Sequence, residues 1–177
     1  MIYYRDETIT IRDMEPTDAQ PLTDGEHAQG WHTDVAKFEG RLRDQSEGKA
    51  VALVAEVEGK PVGYINVYPN APDMNNGVFG GRVLPEIVDF GVLEPYRRRG
   101  VGSRLMDVAE QIAGQYADTV YLGVGLHSGY GSAQRMYVKR GYIPDGSGVW
   151  YHDRVCAPYA PCVNDDDLIL YLSKKLK

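Results

Sequence analysis

The stretch that decides the fold spans residues 94–105 and reads Glu-Pro-Tyr-Arg-Arg-Arg-Gly-Val-Gly-Ser-Arg-Leu. It follows an apolar segment over residues 86–93 and leads into residues 103–116, where apolar side chains repeat with helical spacing. This order predicts a turn between a buried strand and the N-terminus of a helix. Backbone N–H groups at such a terminus lack internal partners, and the helix dipole places positive charge there, so we expect the turn to bind phosphate.

The residue types within this turn also suit a phosphate ligand. Gly100 and Gly102 allow close approach of the backbone, and the arginines at 97–99 offer bidentate donors to the oxygens of a pyrophosphate. Two other phosphate motifs do not fit, because G-x-G-x-x-G would require glycine at Leu105 and the Gly-Lys-Ser/Thr of a P-loop is absent. A solvated arginine run before an ordinary helix is the alternative interpretation.

The remaining sequence predicts a mixed α/β fold with a hairpin before the helical crossovers. The order of elements is βαα, ββ, βα, βα, β, and residues 69–84 are expected to form a long loop because they are rich in Gly, Pro and Asn. The predicted strands are residues 8–13, 50–57, 62–68, 86–93, 119–126 and 168–172. A helix-start signal lies at 15–18, and the predicted helices are residues 33–47, 103–116 and 132–140.

Composition limits the classes of protein to which the chain could belong. Its 177 residues predict a single domain over 1–177, and the net charge of −6 argues against nucleic acid as a partner. An acidic N-terminal segment and the absence of a long apolar run predict a cytoplasmic protein that does not enter a membrane. Cys156 and Cys162 lack zinc-site spacing, so two reduced thiols and no metal are expected.

Two spaced motifs resemble those of the GNAT superfamily of N-acetyltransferases. Residues 97–102, Arg-Arg-Arg-Gly-Val-Gly, match its R/Q-x-x-G-x-G/A acyl-CoA signature, and residues 133–142, Ala-Gln-Arg-Met-Tyr-Val-Lys-Arg-Gly-Tyr, look like its A-x-x-x-Y-x-x-x-G-F/Y segment. The resemblance covers residues 8 to about 145. It implies a GNAT-like fold, with a central mixed β-sheet flanked by helices, and acetyl-CoA as the acyl donor.

The resemblance also implies which residues contact acetyl-CoA. The backbone over residues 98–103 would bind the pyrophosphate, while the strand end Phe90 to Val92 would pair with the pantetheine arm. An N–H near Phe90 would polarise the thioester carbonyl, and Tyr137 would face the thiol sulfur. The residues assigned to the cofactor are Phe90, Gly91, Val92, Arg97, Arg98, Arg99, Gly100, Val101, Gly102 and Ser103.

Candidate acid and base residues follow from the chemistry of amide formation. The motif match makes Tyr137 the candidate acid, since a phenol beside a departing thiolate can donate a proton when geometry and local charges help, although a tyrosine packed in the core is the alternative. An amine that is protonated near neutral pH needs a base, and Glu86 is the candidate because it lies eleven residues before Arg97, as in the family's histone acetyltransferases. Asp89 is the rival base, and a solvated strand-end carboxylate is the alternative for Glu86.

The sequence says less about the residues that bind the amine acceptor. Trp31, Asp89 and Tyr130 are candidate substrate contacts, and Tyr130 stands where many family members carry Asn. His127 is interpreted as a hydrogen-bonded loop residue. The acidic run at 165–167 suits a cationic amine, although a solvated loop is the alternative.

The sequence therefore predicts acetyl-CoA-dependent, direct N-acetylation of a primary amine on a small cationic molecule. A protein or peptide N-acetyltransferase, acting on an N-terminus or a lysine, and a non-catalytic acyl-CoA sensor are the alternatives. A homodimer is left open.

Overall fold

A computed structural model of the protein describes residues 1–71 and 82–176, and these residues form nine β-strands and four α-helices. The strands are β1 (Ile2–Arg5), β2 (Ile9–Asp13), β3 (Val51–Val57), β4 (Lys60–Ala71), β5 (Leu84–Val92), β6 (Thr119–Gly125), β7 (Ile143–Tyr151), β8 (Arg154–Val155) and β9 (Leu168–Lys175). The helices are α1 (Ala19–Ala28), α2 (Ala36–Ser46), α3 (Val101–Ala113) and α4 (Gly131–Lys139). The predicted fold class, α/β with a mixed sheet flanked by helices, is confirmed.

The chain divides into two compact units, and the first contains Met1–Pro69 and Ile87–Gln115. Its strands lie in the order β1-β2-β3-β4-β5, and each of the first three pairs antiparallel with the next. Glu58 and Gly59, which join β3 to β4, both have positive φ, as the tightest hairpin turns require. The predicted hairpin is confirmed, with a shorter turn than the expected residues 58–61.

Helices cover both faces of the strands in this first unit. Tyr64 on β4 packs edge-on against Phe38 of α2 with ring centroids 5.0 Å apart, in an apolar cluster that also contains Leu22 of α1. The neighbouring residue Gly63 faces the other way, where an added Cβ would lie 3.2 Å from Leu105 of α3. α1 and α2 therefore lie on one face, and α3 lies on the opposite face.

The second unit contains Asn70–Glu86 and Tyr116–Lys177. Its antiparallel strands lie in the order β6-β9-β7-β8. Aromatic side chains fill its core, since the Tyr171 ring lies 6.1 Å from that of Tyr121 and contacts Trp150 edge-on at 5.3 Å. Within residues 1–71 and 82–176, no helix is long and apolar enough to span a membrane.

Three strands differ from the sequence prediction. The fold opens with two strands, because β1 precedes the predicted one, and β7 and β8 lie in a segment for which no element was expected. β7 contains Pro144 and two glycines with positive φ, and its pairing with β9 shifts register between Pro144 and Val149. Such interruptions hide the alternation of a strand. Of the predicted loop at 69–84, residues 69–71 belong to β4 and residues 72–81 lie outside the described residues.

Candidate active site

The turn between β5 and α3 has the backbone conformation that an anion site requires. The chain leaves β5 through a 3₁₀ turn at Glu94–Tyr96, and Arg98 and Gly100 then adopt positive φ values of +61° and +87°. Gly100 is the residue immediately before α3, and its left-handed conformation is one that glycine adopts at no steric cost. The turn therefore depends on glycine at position 100.

The N-terminus of α3 carries no side-chain cap. The first hydrogen bond of the helix runs from the Arg104 N–H to the Gly100 carbonyl at 3.0 Å. The N–H groups of Val101, Gly102 and Ser103 precede that bond, so the helix geometry leaves them to a ligand or water. Free N–H groups and the positive end of a helix dipole are together suited to an anion.

Gly102 also has a role inside the protein. A Cβ at this position would lie 3.1 Å from Cζ of Phe90 and 3.6 Å from Cγ2 of Val92, so the first turn of α3 packs closely on the end of β5. From the sequence, close approach of a ligand is the reason expected for glycine at position 102. The structure adds a packing reason, and a large side chain here would disturb the protein before any ligand binds.

The three arginines of the turn differ in their surroundings. Arg97 Nε donates to the Val92 carbonyl at 2.9 Å, and its guanidinium also lies 3.3 Å from Glu94. Arg97 is therefore engaged in holding the turn together. Arg98 and Arg99 are exposed as well, and Arg99 lies over the Tyr96 ring with 5.7 Å between the guanidinium carbon and the ring centroid. Both guanidinium groups are accessible to phosphate oxygens.

Trp31, a predicted substrate contact, lies beside this turn. Its ring is 41% exposed and stacks against Arg97, with 5.6 Å between the guanidinium carbon and the ring centroid. Its neighbour Gln29 accepts a hydrogen bond from the Glu94 N–H at 2.9 Å. The segment that joins α1 to α2 is thus attached to the turn at two points.

Gly91, assigned to the pantetheine arm, faces α1 and α2. A Cβ here would lie 2.6 Å from the Tyr64 hydroxyl, so glycine is required for packing. That hydroxyl donates to the fully buried carboxylate of Glu26, and Lys37 Nζ lies 3.3 Å from the same carboxylate. A buried ion pair therefore lies directly under the end of β5.

Asp89, the rival base, has an engaged carboxylate. Arg41 of α2 donates to Asp89 Oδ2 through Nε at 2.7 Å, and its Nη2 lies 2.5 Å from the same oxygen in an ion pair. The backbone at Asp89 has a φ of +50°, which interrupts the alternation of β5. No local pattern in the sequence indicates Arg41 as the partner, because 48 residues separate it from Asp89.

Glu86 lies in the second unit, among tyrosine hydroxyl groups. The Tyr121 hydroxyl donates to Glu86 Oε2 at 3.2 Å, and Glu86 is half-buried. Burial and, after it, the negative charge of Glu86 raise the pKa of Tyr171 to about 12. A half-buried carboxylate with a phenol partner has the chemistry of a general base.

Tyr137 on α4 is buried, with 6% of its surface exposed, and its ring lies 5.8 Å from that of Tyr142. Burial raises the pKa of Tyr137 above its ordinary value, and the nearby Tyr130 adds to the effect. Burial would raise the pKa of a thiol held in the same surroundings as well. The Tyr137 phenol, with its raised pKa, is therefore protonated at neutral pH.

Tyr130 belongs to a hydrogen-bonded cluster at the end of β6. Its hydroxyl donates to Asp166 Oδ1 at 2.8 Å, and His127 Nε2 lies 2.9 Å from the same oxygen. His127 Nδ1 accepts from the Gly129 N–H at 3.0 Å, which assigns the remaining imidazole proton to Nε2. The hydrogen bonds from His127 and Tyr130 lower the pKa of Asp166. The sequence placed all three residues in loops without detecting their contact.

The other two residues of the acidic run are also engaged within the protein. Asp165 Oδ1 accepts from the Asp167 N–H at 3.1 Å, and Asp167 lies 3.1 Å from His152 Nδ1. The carboxylates of Asp165 and Asp167 therefore already have partners within the protein. Among the described residues, no group of three or more His, Cys, Asp and Glu side chains is arranged to hold a metal ion.

Solved structures with a similar fold cover nearly the whole chain. Ard1 from Thermoplasma volcanium is 23% identical, with a TM-score of 0.69 over 96% of this chain and 99% of that chain. A ribosomal-protein alanine N-acetyltransferase from Escherichia coli is 14% identical, with a TM-score of 0.65 over 95% of this chain and 94% of that chain. RimL, a ribosomal alpha-N-protein acetyltransferase, is 10% identical, with a TM-score of 0.71 over 99% and 94%. At these identities the likeness shows the fold.

The sequence comparisons identify the family. No curated protein sequence matches the chain. The model of the acetyltransferase (GNAT) family matches residues 11–142, which include part of β2, the turn before α3 and the whole of α4. The chain therefore belongs to the GNAT family of acetyltransferases.

Proposed function

We propose that the protein transfers the acetyl group of acetyl-CoA directly to a primary amine. The observation that carries the proposal is the uncapped N-terminus of α3, preceded by the left-handed Gly100 and flanked by the exposed Arg98 and Arg99. This arrangement fits the pyrophosphate of acetyl-CoA, the acyl donor that the family uses. The N–H groups of residues 101–103 bind the pyrophosphate, and the arginines neutralise its charge.

The chain's own residues supply acid and base in this proposal. Glu86 takes the proton that the amine loses as its nitrogen attacks the thioester carbonyl, directly or through water. The N–H at Phe90 polarises that carbonyl while the new carbon–nitrogen bond forms and the carbon–sulfur bond breaks. Tyr137 then protonates the departing thiolate. No covalent intermediate on the protein is needed.

Two classes of acceptor are candidates. The sequence favours a small cationic amine because of the acidic run, and Asp166 retains an 80% exposed side chain that could attract one. Asp166 pairs with His127, and Asp167 pairs with His152. These contacts weaken the argument that the acidic run attracts a cationic acceptor. A peptide or protein N-terminal amine is the second candidate, supported by the likeness of the fold to RimL and to the alanine N-acetyltransferase.

A panel of acceptors distinguishes these possibilities. Thiol release from acetyl-CoA would be measured with polyamines, with short peptides that carry a free N-terminus, and with the same peptides blocked at that terminus. Turnover of polyamines that decreases with added salt supports the small cationic acceptor. Turnover of free peptides alone supports the protein acceptor, and coenzyme A binding without turnover of any amine would identify a sensor.

A further inference from the structure

One residue of β5 leaves the extended conformation, and it does so beside the peptide group on which the proposed chemistry depends. Asp89 has a φ of +50°, in the left-handed region that residues other than glycine rarely occupy. An interruption of this kind re-aims the following part of a strand. The next N–H along the chain is that of Phe90, which polarises the thioester carbonyl in the proposed function.

Contacts from two directions hold this conformation. The Asp89 side chain pairs with Arg41, whose Nε donates to Oδ2 at 2.7 Å and whose Nη2 lies 2.5 Å from the same oxygen. On the backbone side, the buried amide of Asn66 lies 3.3 Å from the Val88 carbonyl and 3.4 Å from the Asp89 carbonyl. Arg41 and Asn66 therefore both hold β5 at this position.

Arg41 is itself fixed by residues of α2 and β4. Its Nη1 donates to the Tyr68 hydroxyl at 2.5 Å, and that hydroxyl donates to Asp44 at the same distance. The guanidinium also lies over the Tyr68 ring, 5.4 Å from its centroid. With Asp89 on one side and Tyr68 on the other, the guanidinium is committed to contacts within the protein, which suits positioning rather than ligand binding.

We propose that Arg41 is a positioning residue for acetyl transfer. By pairing with Asp89 it holds the left-handed backbone of β5, and it thereby aims the N–H of Phe90 at the thioester carbonyl. This inference rests on the proposed function. Without Arg41 the strand relaxes toward the extended conformation and the N–H turns away, while the turn that binds the pyrophosphate is unaffected. Arg41 therefore affects kcat much more than coenzyme A affinity.

The first test compares two arginines of the same helix. Arg41→Ala should lower kcat by roughly 10- to 100-fold, the range expected when a reacting group is misplaced by about 1 Å. Its affinity for coenzyme A, measured by calorimetry, should equal that of the wild type. Arg43→Ala removes the same charge from an exposed position on α2 and should leave both quantities unchanged. Equal kcat values for Arg41→Ala and the wild type would overturn the proposal.

Rescue by glycine separates positioning from any other role of Arg41. Glycine adopts positive φ without steric cost, so adding Asp89→Gly to Arg41→Ala should restore most of the lost kcat. An Arg41 that bound the acceptor would not be rescued in this way, and a double variant no faster than Arg41→Ala would overturn the proposal. If Arg41→Ala does not fold, Tyr68→Phe loosens the same guanidinium, and its smaller loss of kcat should be rescued by the same substitution.

Amide hydrogen exchange separates this proposal from the proposed function. A wild-type protein that releases no thiol with any amine would refute the proposed function alone. The backbone claim is then tested by the exchange rate of peptides covering residues 88–92. That rate should rise in Arg41→Ala relative to the wild type and to Arg43→Ala. Equal rates in all three proteins would overturn the claim that Arg41 holds this part of β5.

Discussion

The Tyr137 hydroxyl is the single group whose removal most directly tests the proposed acid. Tyr137→Phe deletes one oxygen from a buried ring and keeps its packing against Tyr142. Loss of a positioned general acid lowers rates by about 10²- to 10⁴-fold, so kcat should decrease by that factor while coenzyme A affinity is retained. Steady-state kinetics and calorimetry on the same preparation measure the two effects.

A second buried tyrosine supplies the control for that variant. Tyr142→Phe removes a hydroxyl from the neighbouring ring, at a position where the family motif accepts either Phe or Tyr. Its kcat should remain close to that of the wild type. If Tyr137→Phe behaves in the same way, Tyr137 is a core residue and solvent is the proton donor.

Among the elements, α3 begins after Gly100, whose role in coenzyme A binding can be tested by mutation. Gly48 is a control position with the same backbone conformation. Gly100 and Gly48 both have positive φ and open space around an added Cβ, and Gly48 follows the end of α2. Alanine in the left-handed region costs roughly 1–2 kcal/mol at either position. Only at Gly100 does relief of that strain move N–H groups assigned to the pyrophosphate.

Gly100→Ala should therefore weaken coenzyme A binding by roughly tenfold, the equivalent of about 1.4 kcal/mol, and Gly48→Ala should not. Both variants should lose similar amounts of thermal stability. Calorimetric titration and thermal unfolding of the pair provide the measurements. Equal coenzyme A affinities in the two variants would remove the assignment of this turn to the pyrophosphate.

The segment before β9 should show a pH-dependent attachment to the end of β6. Hydrogen bonds from His127 and Tyr130 lower the pKa of Asp166 from its ordinary value of 3.8. A carboxyl group whose pKa is lower in the folded state stabilises the protein above its unfolded pKa. That stabilisation is lost as the pH falls through the folded value.

Asp166→Ala should accordingly lower the free energy of unfolding near pH 7, by less than about 1 kcal/mol because the side chain is largely exposed to solvent. The difference from the wild type should shrink once the pH falls below 3.8. Urea unfolding of both proteins across that range measures it. A difference that stays constant with pH would show that the ionised carboxylate does not contribute.

For the molecule as a whole, features formed by neighbouring residues could be predicted from the sequence. Contacts between residues far apart in the chain could not. The turn before α3 was predictable because its glycines, its arginines and the helical repeat lie within a few residues of one another. β7 was missed because Pro144, Gly146 and Gly148 interrupt its alternation. The pairing of Arg41 with Asp89, and of Asp166 with His127, joins residues about forty or more positions apart, which no local pattern reports.

We propose direct transfer of an acetyl group from acetyl-CoA to an amine, without a covalent acetyl-enzyme intermediate. The most direct measurement follows acetyl-CoA carrying an isotopically labelled acetyl group, and compares released thiol with the masses of the acceptor and the protein. One labelled acetyl group should appear on the acceptor amine for each thiol released, with the protein's mass unchanged. Tight coenzyme A binding with no thiol release above the spontaneous rate, or label retained on the protein, would contradict it.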